Sequence, residues 1–264
     1  MENIALAGSR NVRDLGGTVV DGGTVREKLL LRGGNLFACT QRDAAILRDE
    51  YGLSLIVDLR TSVERIGKPD RSIPGVENVH IPLFAESTVG ITRERLPRLT
   101  DDLAEIIPDL TVLYRRMVSI ECRDNLSRVV QTIMDAIVQG RTVLFHCTEG
   151  KDRAGLTAAI LLSALGAPRK AVMADYLFTN TVCTRKADRY YWLARMLRKD
   201  KATSEKLRAV FSVRADYLEA AFSAIEEEWG STEAFIVQGL GVGPDRLEAF
   251  RNAAIAEEIA EGVR

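Results

Sequence analysis

The chain alternates short apolar runs with longer stretches in which apolar residues recur at helical spacing. Leu53–Asp58 and residues 141–146 are short and apolar enough to be strands buried on both faces. Residues 125–138 and 154–165 instead repeat apolar positions with the period of a helix that has one buried face. Strands that alternate with helices indicate an α/β fold with a central, mainly parallel sheet flanked by helices.

The two ends of the chain differ in their predicted elements. The glycine-rich residues 1–40 predict a small hairpin and a strand that enters the sheet. In the middle of the chain we predict a helix at 43–50, a strand at 79–81, a polar stretch with several prolines at 86–108 and a helix at 109–120. After residue 165 the pattern predicts a helical C-terminal half, with helices at 169–178, 185–198, 206–211, 215–229, 232–238 and 245–259.

Composition argues against several classes of protein. The 264 residues are 46% hydrophobic and 28% charged with a net charge of −1, which argues against a disordered chain and against nucleic acid as a partner. No apolar run is long enough to cross a bilayer, and the first residues do not resemble a secretory leader, so we expect a cytoplasmic protein, with leaderless export left open. Two histidines and four scattered cysteines indicate reduced thiols and no metal site.

The segment 146–155, HCTEGKDRAG, joins a buried strand to an apolar helix. It places Cys147 at the carboxyl end of a strand, the edge where open α/β sheets bind ligands. The tight turn from Cys147 to Arg153 would direct backbone N–H groups inward and form a nest for a tetrahedral anion such as phosphate. These surroundings favour the thiolate of a cysteine, and the arginine fork can hold two phosphate oxygens. The pattern therefore indicates a nucleophilic cysteine rather than one buried as a small apolar residue.

This segment matches H-C-x-x-G-x-x-R-x-G and resembles the signature of the cysteine-dependent protein tyrosine phosphatase superfamily. Its Lys-Asp-Arg is similar to that of the bacterial tyrosine and lipid phosphatase group. Further matching motifs are NVRDLGG at 11–17, VDLRT at 57–61 with Glu64, ADYL at 174–177 with Asn180, VRADYL at 213–218, and WGS at 229–231 with GLG at 239–241. The resemblance covers nearly the whole chain and implies a single phosphatase domain at 1–264.

The resemblance also implies a reaction. Cys147 attacks the phosphorus and forms a cysteinyl-phosphate that water then hydrolyses, with no metal or other cofactor. Asp152 is the first candidate for the acid that protonates the leaving group, because related phosphatases use an acid beside the arginine. Asp58, at the end of another strand, is the second candidate, and its alternative role is a salt bridge to a loop arginine such as Arg13 or Arg60.

The remaining loop residues are expected to surround the phosphate, which Arg153 clamps. The phosphate-binding positions are Thr148, Glu149, Gly150, Lys151, Ala154 and Gly155, and the supporting positions are His146 and Asp14. Ala154 departs from the Ser or Thr of many members, whose hydroxyl helps the sulfur leave, so hydrolysis of the intermediate is expected to be slow. Glu149 either weakens anion binding or points outward. Lys151 either suits substrates with more than one phosphate or is a solvated lysine.

Residues 185–208 form a basic span, with nine Lys or Arg against three acids. By resemblance this span belongs to a helical lid over the active site, at about residues 181–213. Tyr190, Trp192 and Met196 are among the apolar residues beside the cations, which suits a cover, an interfacial helix in transient contact with a membrane surface, or an ordinary core-packing helix.

The sequence favours a phosphatase acting on protein phosphotyrosine, with phosphoserine, phosphothreonine or phosphoinositide substrates as alternatives. A rhodanese-like sulfurtransferase also places a cysteine loop after a strand, but Arg153 and Gly155 argue against it. The alternative outside enzymes is a phosphate-binding module that has lost turnover, which Ala154 and Glu149 would suit.

Overall fold

The computed structural model describes residues 2–84, 109–197 and 199–257 of the chain. The polar stretch predicted at 86–108 therefore lies outside the described residues. Within the described ranges, no helix combines the length and the apolar character needed to span a bilayer.

The described strands form a central sheet and a small second sheet. In chain order they are β1 (Arg13–Asp14), β2 (Val19–Val20), β3 (Gly23–Val25), β4 (Leu30–Gly33), β5 (Leu53–Asp58), β6 (Glu77–His80), β7 (Thr142–His146) and β8 (Ile255–Glu257). The central sheet has the order β1-β4-β7-β5-β6, in which β1 is antiparallel to β4 and all other neighbours are parallel. The predicted α/β fold with a mainly parallel sheet is confirmed.

Helices fill most of the rest of the described chain. They are α1 (Gln41–Ala45), α2 (Ser62–Gly67), α3 (Leu110–Val118), α4 (Ile120–Val138), α5 (Arg153–Ala164), α6 (Arg169–Phe178), α7 (Asn180–Met196), α8 (Lys201–Phe211), α9 (Ala215–Trp229), α10 (Thr232–Ala234) and α11 (Pro244–Ala254). Short π-helical turns, Ile46–Glu50 and Phe235–Gly239, continue α1 and α10. Helices α6 and α9 have the predicted bounds, whereas α7 and α8 each begin five residues earlier than predicted.

The prediction of one helix over 245–259 is wrong at its end. Helix α11 stops at Ala254, and β8 pairs antiparallel with β3 in the second sheet. Residues 255–257, Ile-Ala-Glu, have no strong strand pattern of their own, so pairing with a distant hairpin, not local propensity, determines their conformation. Residues 258 and 259 lie outside the described chain.

Both faces of the central sheet are covered. In β7, Val143 and Phe145 join the larger apolar core with residues of α4, α5 and α9, while Leu144 faces a smaller core that includes Leu36 and Leu47. Burial on both sides explains why this strand is a continuous apolar run without polar alternation.

Three parallel strands end at the same edge of the sheet. Gly33 at the end of β4 and Asp58 at the end of β5 are both in register with His146 at the end of β7. Cys147 follows immediately, so this edge presents the loop that carries the predicted site.

Helices α7 and α8 make up most of the segment predicted as the lid, and a small apolar cluster packs them against each other. Ala187 of α7 packs with Val210 and Phe211 of α8, and the rings of Tyr190 and Phe211 stack with centroids 4.1 Å apart.

Candidate active site

Cys147 lies at the base of a loop that connects β7 to α5. Its side chain is buried, with 3% of the residue exposed. Asp152 is the N-cap of α5 but its side chain makes no capping hydrogen bond, so the first-turn N–H groups of this buried helix remain available to a ligand. The positive end of the helix dipole is directed at the same place and favours an anion there.

The outer side of the loop is held by hydrogen bonds to its carbonyl oxygens. Asn35 donates to the carbonyl of residue 148, Asn11 donates to those of 149 and 150, and Arg32 donates to those of 150 and 151, over 2.7–3.4 Å. The C=O and the N–H of a trans peptide point in opposite directions. Carbonyls fixed on the outside therefore direct the N–H groups of the loop to its concave side, as an anion nest requires.

Close backbone packing explains the glycine in the middle of the loop. Gly150 has a φ of 66°, and a Cβ atom there would lie 2.4 Å from the carbonyl carbon of Gly33. A larger residue would push the loop away from β4. Asn11 also has a left-handed φ, of 56°, which asparagine tolerates better than most residues.

A buried ion-pair network supports the loop from below. Asp175 of α6 binds Arg13 at 2.8 Å and also binds Arg32, which in turn holds the loop carbonyls. Burial raises the pKa of Asp175, but the charges of Arg32 and Arg13 outweigh it and hold that pKa below its usual value. Burial and the neighbouring Arg32 lower the pKa of Arg13 to about 10, which still leaves it charged at neutral pH.

Arg153 is fixed in orientation by Glu64 of α2. Two parallel hydrogen bonds of 2.6 Å join its guanidinium to the Glu64 carboxylate, which also accepts a 2.6 Å hydrogen bond from the Thr148 hydroxyl. Burial raises the pKa of Glu64, but the hydrogen bonds and charge of Arg153 lower it to about 2. Burial also lowers the pKa of Arg153, whereas Glu64 and then the charge of Cys147 raise it above its usual value. Both partners are therefore ionised across the physiological range.

Glu64→Gln is expected to destabilise the protein by about 3 kcal/mol at neutral pH, because the pKa of Glu64 falls from 4.5 to about 2 on folding. A lowered carboxyl pKa contributes stability above pH 4.5, and that contribution is lost as the pH falls towards 2. Denaturant unfolding at several pH values should therefore show the difference between variant and wild type shrinking over this interval.

The matched control for this prediction is Glu121→Gln, which removes an exposed partner of Arg116. An exposed pair of this kind contributes at most about 1 kcal/mol. An equal effect of the two substitutions, or a Glu64→Gln effect that does not depend on pH, would contradict the assigned role of Glu64.

Asp152 is the end of a chain of buried hydroxyl groups. Its Oδ1 accepts a 2.9 Å hydrogen bond from the Tyr114 hydroxyl, which accepts one of 2.7 Å from Tyr176. Burial and then the charge of Asp152 raise the pKa of Tyr114 well above its usual value, so this hydroxyl keeps the proton it donates. The Asp152 side chain is 24% exposed, so the carboxylate is both oriented and accessible from the loop.

Asp58 is placed differently. It is fully buried and accepts hydrogen bonds from Arg60 on both carboxylate oxygens, at 2.9 and 2.8 Å, so the alternative of a salt bridge to Arg60 is present. Asp58, Asp70 and His146 offer three ligand atoms within 4.8 Å of one another, but the Arg60 guanidinium already binds both carboxylates.

His146 lies in the same buried cluster. Its Nε2 is 3.1 Å from Asp70 and its Nδ1 is 3.2 Å from the carbonyl oxygen of Cys147. Both ring nitrogens thus face oxygen acceptors beneath the loop, which suits a residue that orients the cysteine.

Lys151 and Glu149 both contact the region predicted as the lid. The Lys151 ammonium is buried and donates to the carbonyls of Val210 and Ser212 at 2.7 and 3.0 Å, and it also pairs with Asp152. The expectation of a solvated lysine is therefore wrong, because the ammonium is buried, whereas a role of Lys151 towards a second phosphate stays a prediction. Glu149 points outward to Lys186 of α7 at 2.6 Å, one of the two orientations expected for it.

The other predicted positions are placed as follows. Ala154 is fully buried in the first turn of α5, and a Cβ on Gly155 would meet Arg32 and Tyr176 at 3.1 Å, so Gly155 allows close packing behind the loop. Asp14 is not at the loop, because its carboxylate accepts hydrogen bonds from the backbone N–H groups of Gly16 and Lys28.

Sequence reasoning did not assign site roles to several residues that the structure brings to the loop. These are Asn11, Arg32, Asn35, Glu64, Asp70, Tyr114, Asp175 and Tyr176. Four of them, Asn11, Glu64, Asp175 and Tyr176, lie within the matching motifs, and that was the available signal. The others carry no local pattern that separates them from ordinary polar or core residues.

Comparison with known proteins agrees with the family that the sequence motifs resemble. A model of the tyrosine phosphatase family matches residues 4–256. A protein of Cupriavidus necator named as a tyrosine-protein phosphatase is 33% identical over 90% of this chain and 84% of its own length. The triple specificity protein phosphatase PtpB of Mycobacterium tuberculosis is 28% identical over 88% of this chain and 91% of its own.

The chain therefore belongs to the tyrosine phosphatase family, whose members hydrolyse phosphoric monoesters. Among solved structures, PTPMT1 in complex with PI(5)P matches 76% of this chain and 92% of its own, with a TM-score of 0.38 and 15% identity. TpbA of P. aeruginosa matches 75% and 96%, with a TM-score of 0.31 and 16% identity. These two similarities are too low to add to the assignment.

Proposed function

We propose that this phosphatase hydrolyses protein phosphotyrosine through a cysteinyl-phosphate intermediate. The observation that carries the proposal is the placement of Cys147 beneath the N-terminus of α5, inside a loop whose carbonyls are held outward, next to an arginine oriented by Glu64. This arrangement offers a nucleophile, N–H donors and a planar cation to one tetrahedral anion.

In the first step the Cys147 thiolate forms a bond to phosphorus while the ester P–O bond breaks. Arg153 and the loop N–H groups hold the non-bridging oxygens as charge develops on them. Asp152 gives a proton to the departing phenoxide.

In the second step water attacks the phosphocysteine, Asp152 takes its proton, and the sulfur leaves as thiolate. The contacts of Asp152 with Tyr114 and Lys151 stabilise the carboxylate that acts as base here. The side chain of Ala154 has no hydroxyl to donate to the departing sulfur, so we expect this step to be the slower one.

Asp152 is favoured over Asp58 as the proton donor. Asp152 is partly exposed beside Arg153, whereas Asp58 is buried with both oxygens bonded to Arg60. With both oxygens bonded to the Arg60 guanidinium, the Asp58 carboxylate is not oriented towards a substrate.

Asp152→Asn is expected to lower kcat on phosphotyrosine by about 100-fold, the lower end of the range for general acid catalysis. The loss should be smaller on p-nitrophenyl phosphate, whose leaving group scarcely needs a proton. Tyr114→Phe should cause a milder loss on the same substrates and displace the pH profile. Steady-state rates on substrates whose leaving groups differ in basicity measure all three effects. If the rate of Asp58→Asn depends more steeply on leaving-group basicity than the rate of Asp152→Asn, the assignment of the proton donor is reversed.

Phosphotyrosine is favoured as substrate because the Lys151 ammonium donates to two carbonyls next to α8 and pairs with Asp152, so its N–H groups are already used within the protein. Phosphoserine, phosphothreonine and phosphoinositides, the alternatives from the sequence, stay the second candidates, and the mycobacterial relative is named a triple specificity protein phosphatase. Phosphate release from a phosphotyrosine peptide and from a phosphoinositide would decide between them, and faster release from the lipid would overturn the preference.

We also propose that the protein works in a reducing compartment such as the cytoplasm. All four cysteines carry free thiols, including the nucleophile, which an oxidising environment would inactivate.

A further inference from the structure

An open cavity of about 650 Å³ lies beside α7 and is lined by four cations, Arg10, Arg185, Lys186 and Arg189. Lys186 is paired with Glu149 of the catalytic loop. Among the described residues, the other three cations have no carboxylate partner. Three unpaired arginines around one cavity repel each other and favour a bound anion, and arginine suits phosphate groups in particular.

The same face of α7 carries large apolar side chains. Arg185, Arg189, Trp192 and Met196 follow one another at intervals of four, three and four residues, so they form one stripe along the helix. The opposite face is the buried one, with Cys183, Ala187 and Ala194. Trp192 is 64% exposed and Met196 is 78% exposed.

Charge and apolar surface together identify the partner. A helix that lies on an anionic membrane needs cations at the depth of the lipid phosphates and tryptophan or other apolar side chains at the edge of the acyl region. An acidic peptide in the cavity would account for the arginines, but it would leave Trp192 and Met196 in water. A flat anionic interface contacts the whole stripe at once.

We propose that the exposed face of α7 docks on anionic membranes, with a lipid phosphate in the arginine cavity and Trp192 and Met196 inserted at the interface. Through the Lys186–Glu149 ion pair, docking would bring the catalytic loop close to phosphorylated proteins at the membrane surface. The docking itself does not require chemistry at Cys147.

Cosedimentation with lipid vesicles tests the proposal. The full chain is expected to bind vesicles of phosphatidylcholine with phosphatidylserine, to bind pure phosphatidylcholine much more weakly, and to be released by high salt. Each of Arg185→Ala and Arg189→Ala should weaken binding about fivefold, the factor that corresponds to about 1 kcal/mol for a cation near an anionic surface. Trp192→Ala should weaken it about tenfold, since a large exposed apolar surface is then no longer buried.

Matched controls are Arg42→Ala and Ile66→Ala, which remove an exposed cation and an apolar side chain that is 82% exposed, both outside α7. They should bind as the wild type does, and circular dichroism should show that every variant is folded. Cys147→Ser should bind vesicles normally while losing hydrolysis, so failure of the docking proposal and failure of the proposed function can be told apart.

Absence of binding to phosphatidylserine vesicles would overturn the proposal, as would equal losses in the control variants. A third result would replace it. If Arg185→Ala and Arg189→Ala leave vesicle binding unchanged but weaken the binding of an acidic phosphotyrosine peptide to Cys147→Ser, the cavity is a peptide subsite.

Discussion

Cys147→Ser is expected to abolish turnover of p-nitrophenyl phosphate, with kcat lowered by at least about 10⁴-fold. A serine hydroxyl is hardly ionised at neutral pH, and His146 is not placed to deprotonate it, because both of its ring nitrogens face other oxygens. The reaction would therefore lack a nucleophile. Stopped assays of phosphate release over many turnovers measure the effect.

The anion nest should survive this substitution, because its N–H groups and Arg153 are held by residues other than Cys147. Isothermal titration with vanadate or tungstate is expected to show binding to Cys147→Ser. Cys122→Ala, which removes a buried thiol of α4, is the matched control and should retain activity. Turnover that persists in Cys147→Ser would refute the mechanism, and a wild type that stops after one turnover would indicate a phosphate-binding module.

Arg153→Lys is expected to lower kcat/KM by about 10³-fold although the charge is kept. The guanidinium makes two parallel hydrogen bonds to Glu64, and this fixes the plane in which its other N–H groups meet the phosphate. A lysine ammonium has no such plane and cannot make both pairs of contacts. Loss of one preorganised donor to a developing oxyanion alone lowers the rate by about 10²–10³-fold.

Arg246→Lys serves as the control, because Arg246 also makes paired hydrogen bonds to a carboxylate, that of Asp135, away from the loop. Its activity should remain close to that of the wild type. If Arg153→Lys also stays within tenfold of the wild type, the planar clamp is not part of the chemistry.

The location of the catalytic loop could be predicted because the strand, the loop and the helix that form it are contiguous in sequence. The strand that ends at His146, the loop and the helix that begins at Arg153 are consecutive, so the hydrophobic pattern alone sets Cys147 at the sheet edge. Strand β5 was predicted with its observed bounds for the same reason, as a short apolar run buried on both sides.

Contacts between distant parts of the chain could not be predicted in this way. Glu64 and Tyr114 lie 89 and 38 residues from the loop partners they bind; a matching motif marked Glu64 without giving its partner, and nothing local distinguishes Tyr114. The prediction of a helix at 255–257 was wrong because the conformation of these residues depends on pairing with β3. The residue type of Lys151 predicted a positive charge, but it did not predict which way the side chain points. Its orientation is set by carbonyl groups at the end of α8.

The clasp that Asn11, Asn35 and Arg32 make around the outside of the loop has one more consequence. The conformational entropy of ordering the loop is lost once, when the chain folds, and not each time an ester arrives. A receptor that is already shaped for a tetrahedral oxyanion distinguishes poorly between one phosphate ester and another. Discrimination among substrates must then arise from the surfaces that surround the entrance, so exchanging those surfaces should retarget the enzyme while its chemistry stays the same.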